Sequence, residues 1–102
     1  MICVLDTSAA VTVVLKRQEA AFIAGLLGQA EWVISPELFV AEAANVFWKY
    51  HLHSGLEKDR CAKFLADAVA LPDDLVRMAV LSREAFSLAC RLKITAYDAL
   101  YL

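Results

Sequence analysis

Glycine and proline are scarce in this chain, at three and two of 102 residues, and no stretch is dominated by a few residue types. That composition excludes a disordered or low-complexity chain. The three cysteines, Cys3, Cys61 and Cys90, are odd in number and form no C-x-x-C pair. A disulfide framework or a cysteine-built zinc site is therefore not expected. All three stand in apolar surroundings and read as reduced core residues, which points to a cytoplasmic protein. No apolar run approaches the roughly 18 residues that span a bilayer, so no membrane partner is expected. The N-terminus has no basic segment, and its apolar stretch contains Asp6, which argues against a signal peptide. An excess of positive charge is missing as well. Ten Lys and Arg stand against twelve Asp and Glu, a net charge of −2. This argues against a histone-like or helix-turn-helix protein that holds nucleic acid by charge alone. An enzyme that reaches phosphates through bound metal ions remains compatible with it.

Apolar residues are abundant, at 61% of the chain. They suffice for the core of a single domain spanning residues 1–102, and they exceed what a small monomer hides easily. Self-association through an apolar surface is expected. Ile2 to Leu5 is a short run of strand formers that reads as a buried strand. Asp6-Thr7-Ser8 then offers capping side chains to a helix over Ala9–Leu15, and a second helix is predicted from Glu19 to Leu27, ending near Gly28. Trp32-Val33-Ile34 reads as the second strand. Ser35 and Pro36 read as the N-cap and first residue of a helix running to about His53 and stopping at Ser54-Gly55. A helix over Glu57–Ala70 follows, then a break at Pro72-Asp73-Asp74 and a third strand within Leu75–Leu81. Ser82 is expected to cap a helix to about Leu92, and Ala96–Leu102 to begin as a helix. Strands alternating with longer helices predict an α/β fold, a short central parallel sheet flanked by helices in three layers.

Three acids stand apart from the other nine. Asp6 is the only charged residue from Met1 to Leu15, Glu42 the only one from Leu38 to Trp48, and Asp98 the only one from Ile94 to Leu102. Ionised carboxylates in apolar stretches call for a partner or a metal ion. Asp6 directly follows the first strand, near where parallel sheets bind ligands at a switch in strand order. Glu42 shares a helix face with Asn45 three residues on. Each acid also has a local reading. Asp6 can cap the next helix, Thr95-x-x-Asp98 fits a capping box, and Glu42 can be an exposed glutamate or one member of a core pair. A shared site accounts for all three together. Carboxylate oxygens without histidine or cysteine suit Mg²⁺ or Mn²⁺, ions that activate water and stabilise charge on phosphate.

These residues resemble a known family. Val4-Leu5-Asp6-Thr7-Ser8-Ala9 looks like the opening signature of PIN domains, and the stretch from Ser35-Pro36 through Glu42 to Asn45 resembles their central helix. Ile94-Thr95-Ala96-Tyr97-Asp98-Ala99-Leu100-Tyr101-Leu102 is the most specific match, similar to the Tyr-Asp-Ala-x-Tyr-Leu segment common in VapC-type toxins, and the three matches extend over essentially the whole chain. The resemblance implies a PIN-like fold and a Mg²⁺- or Mn²⁺-dependent endoribonuclease. In it Asp6, Glu42 and Asp98 would hold the metal, with Thr7, Ser8 and Asn45 supporting the pocket. It further implies an RNA substrate, a homodimer and an inhibiting antitoxin protein. The family's fourth acid and last strand would lie beyond Leu102, so the domain is expected to be incomplete at its C-terminus. A haloacid-dehalogenase phosphatase would want a second Asp where Ser8 stands, and a phosphoacceptor receiver would want a second acid beside Asp6. A catalytically silent module that binds an antitoxin-like peptide is the alternative from another class.

Elsewhere, His51 and His53 are two residues apart and do not share a helix face, so a joint metal site is not expected. Lys49, His51, His53, Lys58 and Arg60 form one loosely basic stretch and Arg91 with Lys93 another, both read first as solvated helix ends and second as phosphate contacts. Trp32, Phe39, Phe47, Trp48, Phe64 and Phe86 are read as core or dimer interface.

Overall fold

The strand formers at the N-terminus build β1, Ile2–Val4, which pairs in parallel with β2, Trp32–Pro36, in the computed structural model, which describes residues 1–102. The register sets Ile2 against Trp32 and Val4 against Ile34, and β3, Asp74–Val76, adds in parallel on the far side of β2. Helices α1 (Thr7–Val14) and α2 (Ala20–Gln29) connect β1 to β2, and α3 (Leu38–Ser54) and α4 (Lys58–Val69) connect β2 to β3. After β3 come α5 (Met78–Leu92) and the single-turn α6 (Ala96–Ala99). The fold is α/β, a three-stranded parallel sheet flanked by helices, as the alternation of elements predicts. No helix is long and apolar enough to cross a membrane.

The main core lies where one face of β1 and β2 meets α1, α3 and α4. It is built on Leu5, Val11, Val33, Phe39 and Phe47, with Phe64 stacked on Phe47 at 6.0 Å between ring centroids. Side chains alternate across a strand, so Cys3 and Leu5 turn to this core while Ile2 and Val4 are exposed. β1 is thus half-buried, not the fully buried strand expected from its continuous apolar run. A second, separate cluster joins Ala85 and Ala89 of α5 to Ala99 of α6. The α5–α6 pair has its own small core beside the main one.

Several boundaries depart from the sequence reading. Ser35 does not cap a helix and Pro36 does not open one. Both lie in β2, and α3 begins two residues later, with Glu37 ahead of it. The reason is a competing acceptor: buried Ser35 donates its hydroxyl to the Leu5 carbonyl at 2.6 Å, tying the ends of β1 and β2 together. Pro36 is tolerated because it sits at the strand's end, past the last β1 pair. The third strand ends at Val76 and Ser82 lies inside α5, because the apolar run after Val76 is used as helix. An apolar run of this length fits either state by pattern alone. Its first amide, Met78 N–H, is capped from afar by Glu37 Oε1 at 3.0 Å. α2 does end near Gly28, at Gln29, and Ala30 leaves it in an extended conformation leading into β2. Gly55 does end α3, at φ 68°.

Of the aromatic residues, Phe39 and Phe47 are core and Phe64 is half-buried against it, while Trp32, Trp48 and Phe86 are exposed. Cys61 is buried and Cys3 half-buried. Cys90 corrects the expectation of a third core thiol: it is exposed, because the buried stripe of α5 runs through Ala85 and Ala89 and leaves the next position outside it.

Candidate active site

Asp6 follows β1 and begins α1. Its Oδ1 accepts the Ala9 N–H at 2.8 Å, the capping bond anticipated for an aspartate in this position, and the Ser8 hydroxyl at 3.3 Å. The second oxygen has no protein partner. Capping and site membership therefore coexist in one residue. Asp6 does not lie at a switch in strand order, which corrects that part of the sequence reading: the sheet runs β1-β2-β3 without reversing, and β1 is its edge.

Glu42 is in the second turn of α3 and half-buried. Its Oε1 accepts the Thr7 hydroxyl at 3.2 Å and the Tyr101 hydroxyl, which sits just past α6. Thr7 and Tyr101 are themselves 3.3 Å apart. Each hydroxyl carries one proton, and with both donated to Glu42 none is left for the Thr7–Tyr101 edge. The glutamate is thus the acceptor at the centre of a three-residue network that links α1, α3 and the C-terminal segment.

Asp98 belongs to α6. The Thr95 hydroxyl accepts the Asp98 N–H at 3.1 Å, the first half of a capping box. The Asp98 carboxylate does not complete the box and has no protein partner, so it is free to face the same cleft as the other two acids. That cleft is open, about 410 Å³, and lined by Asp6, Thr7, Ser8, Glu42, Asp98 and Tyr101. The three isolated acids and the two predicted hydroxyl residues thus share one cavity. Asn45 does not line it. It lies in an adjoining concavity of about 350 Å³ with Arg17, Val46 and Tyr50, continuous with the first through Thr7, Ser8 and Glu42.

The donor chemistry fits a hard cation: Asp6 Oδ2, Glu42 Oε2 and both Asp98 oxygens are without protein partners. The spacing is looser than a coordination shell, and no three His, Cys, Asp or Glu side chains are close enough to hold one ion together. A cation would have to draw the carboxylates inward.

Two site residues escaped the sequence reading. Tyr101 was visible only as part of the C-terminal segment, with nothing local to say that its hydroxyl reaches Glu42. Arg17 stood in a polar break between helices. Its place is set by backbone: Lys16 adopts φ 55°, and the Lys16 and Arg17 N–H groups bond to Val13 O and Thr12 O at 3.2 and 3.0 Å. This left-handed helix end places the Arg17 guanidinium over the Tyr50 ring, 5.6 Å from its centroid.

The Tyr101 phenol is held well above its ordinary value of 10.0, first by burial, then by its bond to Glu42. The Thr7 hydroxyl, near enough to turn and donate to the phenolate, opposes this, and the negative charges of Glu42 and Asp6 add to it. The neutral phenol is the form the fold favours. Its contribution to stability is whole below pH 10.0 and is lost as pH rises from there through the raised folded value. In an alkaline absorbance titration, Tyr101 is expected to give a late ionisation step, above the ordinary phenol range. Tyr101→Phe should remove that late step; an unchanged late step would assign it elsewhere.

Compared with known proteins, the chain matches no family model and no curated protein.

Proposed function

We propose that the chain is a PIN-like, VapC-type endoribonuclease that hydrolyses RNA phosphodiester bonds with Mg²⁺ or Mn²⁺. One observation carries this reading: Asp6, Glu42 and Asp98, from three separate parts of the chain, line a single open cleft with the hydroxyls of Thr7, Ser8 and Tyr101. The likeness of the segments around these acids to PIN-domain toxins supports it. A bound divalent ion would supply Lewis-acid stabilisation of the phosphate and an acidified water. The three carboxylates would hold it through their unpartnered oxygens. Thr7 and Tyr101 fix the orientation of Glu42, and the α1 amide at Ala9 fixes that of Asp6. Uncovered apolar side chains such as Phe22 of α2 and Phe86 of α5 support self-association as a homodimer.

The test is cleavage of single-stranded RNA by the purified chain with Mg²⁺ or Mn²⁺, against chelated protein and Asp6→Asn. Cleavage that needs the metal and is lost in Asp6→Asn is the expected result. Equal cleavage by the two proteins would place the activity elsewhere. The open spacing of the carboxylates favours one second reading, a catalytically silent module that binds an antitoxin-like peptide. Peptide binding without any metal-dependent cleavage would select it.

A further inference from the structure

The cleft does not end at the acids. Beyond the Arg17–Asn45 concavity lies a third, of about 230 Å³, lined by Val46, Lys49, Tyr50, His53 and Ser54, and joined to the second through Val46 and Tyr50. The residues that α3 contributes to these three concavities include Glu42, Asn45, Val46, Lys49, Tyr50 and His53. Their spacing of three and four is that of a single helix face. The groove therefore follows α3 from Glu42 to His53, an axial rise of about 16 Å at 1.5 Å per residue. Charge changes sign along it. The end near α6 holds three carboxylates; the remainder holds Arg17 and Lys49, with the His53 imidazole at the far end and no acid lining the second or third concavity apart from Glu42 at the junction.

Neither cation is neutralised by a protein carboxylate, since the one ion pair in the molecule joins the N-terminus to Glu31. Arg17 is also held in place before any ligand arrives, by the left-handed turn at Lys16 and by the Tyr50 ring beneath it. His51 is excluded from the groove: its Nδ1 is engaged with the Leu56 carbonyl at 2.8 Å, where the chain turns from α3 to α4.

We propose that this groove is the track for a single RNA strand, with Arg17 and Lys49 contacting backbone phosphates next to the one that lies at the acids. The inference rests on the nuclease reading for the identity of the ligand. The observations favour a phosphodiester strand over an acidic peptide because a strand carries one negative charge at every nucleotide, so successive phosphates can meet Arg17 and Lys49 in the successive concavities they line. Asn45, between the two ends, offers an amide to a base or ribose. Each phosphate contact on a single strand contributes about 0.7 to the slope of log affinity against log salt.

The experiment measures binding of a short fluorescein-labelled single-stranded RNA by anisotropy over a range of salt, with chelator present so that nothing is cleaved. Arg17→Met/Lys49→Met is expected to weaken binding and to reduce the slope by about 1.4, the sum for two contacts. Both side chains are exposed, and Arg17→Lys/Lys49→Arg, which keeps the charges, should restore the slope. A slope unchanged in the methionine double variant overturns the track. So does poly-glutamate displacing the RNA as effectively as unlabelled RNA does, which would make the groove an acidic-peptide site. Cleavage is scored separately: an Arg17- and Lys49-dependent slope without metal-dependent cleavage keeps the track and removes the nuclease, and cleavage with an unchanged slope does the reverse.

Discussion

Phe39→Ala is expected to cost about 3–5 kcal/mol of folding stability and to leave much of the protein unfolded under ordinary conditions. Phe39 is completely buried, at 0% exposure, at the start of α3 where that helix meets the sheet and α1. Truncation there removes a whole ring from contact and leaves a cavity that α3 cannot close without moving Glu42, one turn further along. The reserve against such a loss is small. A domain of this kind has about 5–15 kcal/mol in total, and only 15 of 102 residues are buried, which places this chain toward the lower end. Lys63→Ala is the control, because Lys63 is exposed on α4 and its removal should change stability by no more than about 0.5 kcal/mol. Urea unfolding followed by circular dichroism measures both. Equal effects of the two substitutions would mean that the core is not where the burial pattern puts it.

The second large effect separates two tasks of Glu42. Glu42→Gln keeps an oxygen that accepts from Thr7 and Tyr101, so the network between α1, α3 and the C-terminal segment should survive and stability should change little. It loses the negative charge, and cleavage of RNA should fall by about 100-fold or more, at least the upper size of effect seen when a supporting residue of a metal site is lost. Glu42→Ala removes the acceptor as well. Two part-buried hydroxyls then lose their partner, at a cost toward the lower end of about 1–3 kcal/mol, since Thr7 and Tyr101 can turn to each other across 3.3 Å. The alanine variant should also loosen α6. That helix belongs to the small Ala85–Ala89–Ala99 cluster rather than the main core, and Tyr101 is its hydrogen-bonded tie to α3. Faster amide hydrogen exchange in α6 of Glu42→Ala, with Glu42→Gln unchanged, is the expected signature. If Glu42→Gln retained full cleavage, the carboxylate would have no part in the chemistry, whatever its role in the fold.

The Tyr101 titration and the Arg17–Lys49 salt slope probe the same cleft by independent means. The first reads how the phenol is buried against Glu42; the second reads charge on the far side of the groove and does not depend on any metal.

The features readable along the chain are those whose causes are local. Asp6 caps α1 because a short acceptor side chain three residues before a free N–H can reach it. Gly55 ends α3 because that position needs a left-handed backbone. The alternation of strand and helix, and so the parallel sheet, follows from apolar spacing, and the isolation of Asp6, Glu42 and Asp98 among apolar neighbours marked them as residues in need of partners. Ser35 and the start of α5 are not legible locally, for a matching reason: the acceptor of Ser35 lies thirty residues away at Leu5, and the cap of α5 is Glu37, forty-one residues before it. No local pattern carries such information. The same holds for the site. Thr7 meets Glu42 across 35 residues and Tyr101 meets it across 59, distances that only the packing of α1, α3 and α6 closes. By itself, the order of residues determined which three carboxylates stand apart and which elements carry them. The tertiary structure alone decided that they share one open cleft without closing into a coordination shell, that Tyr101 and Thr7 hold Glu42, and that Arg17 extends the cleft into a groove along α3, because each of these is a meeting of side chains that are remote in sequence.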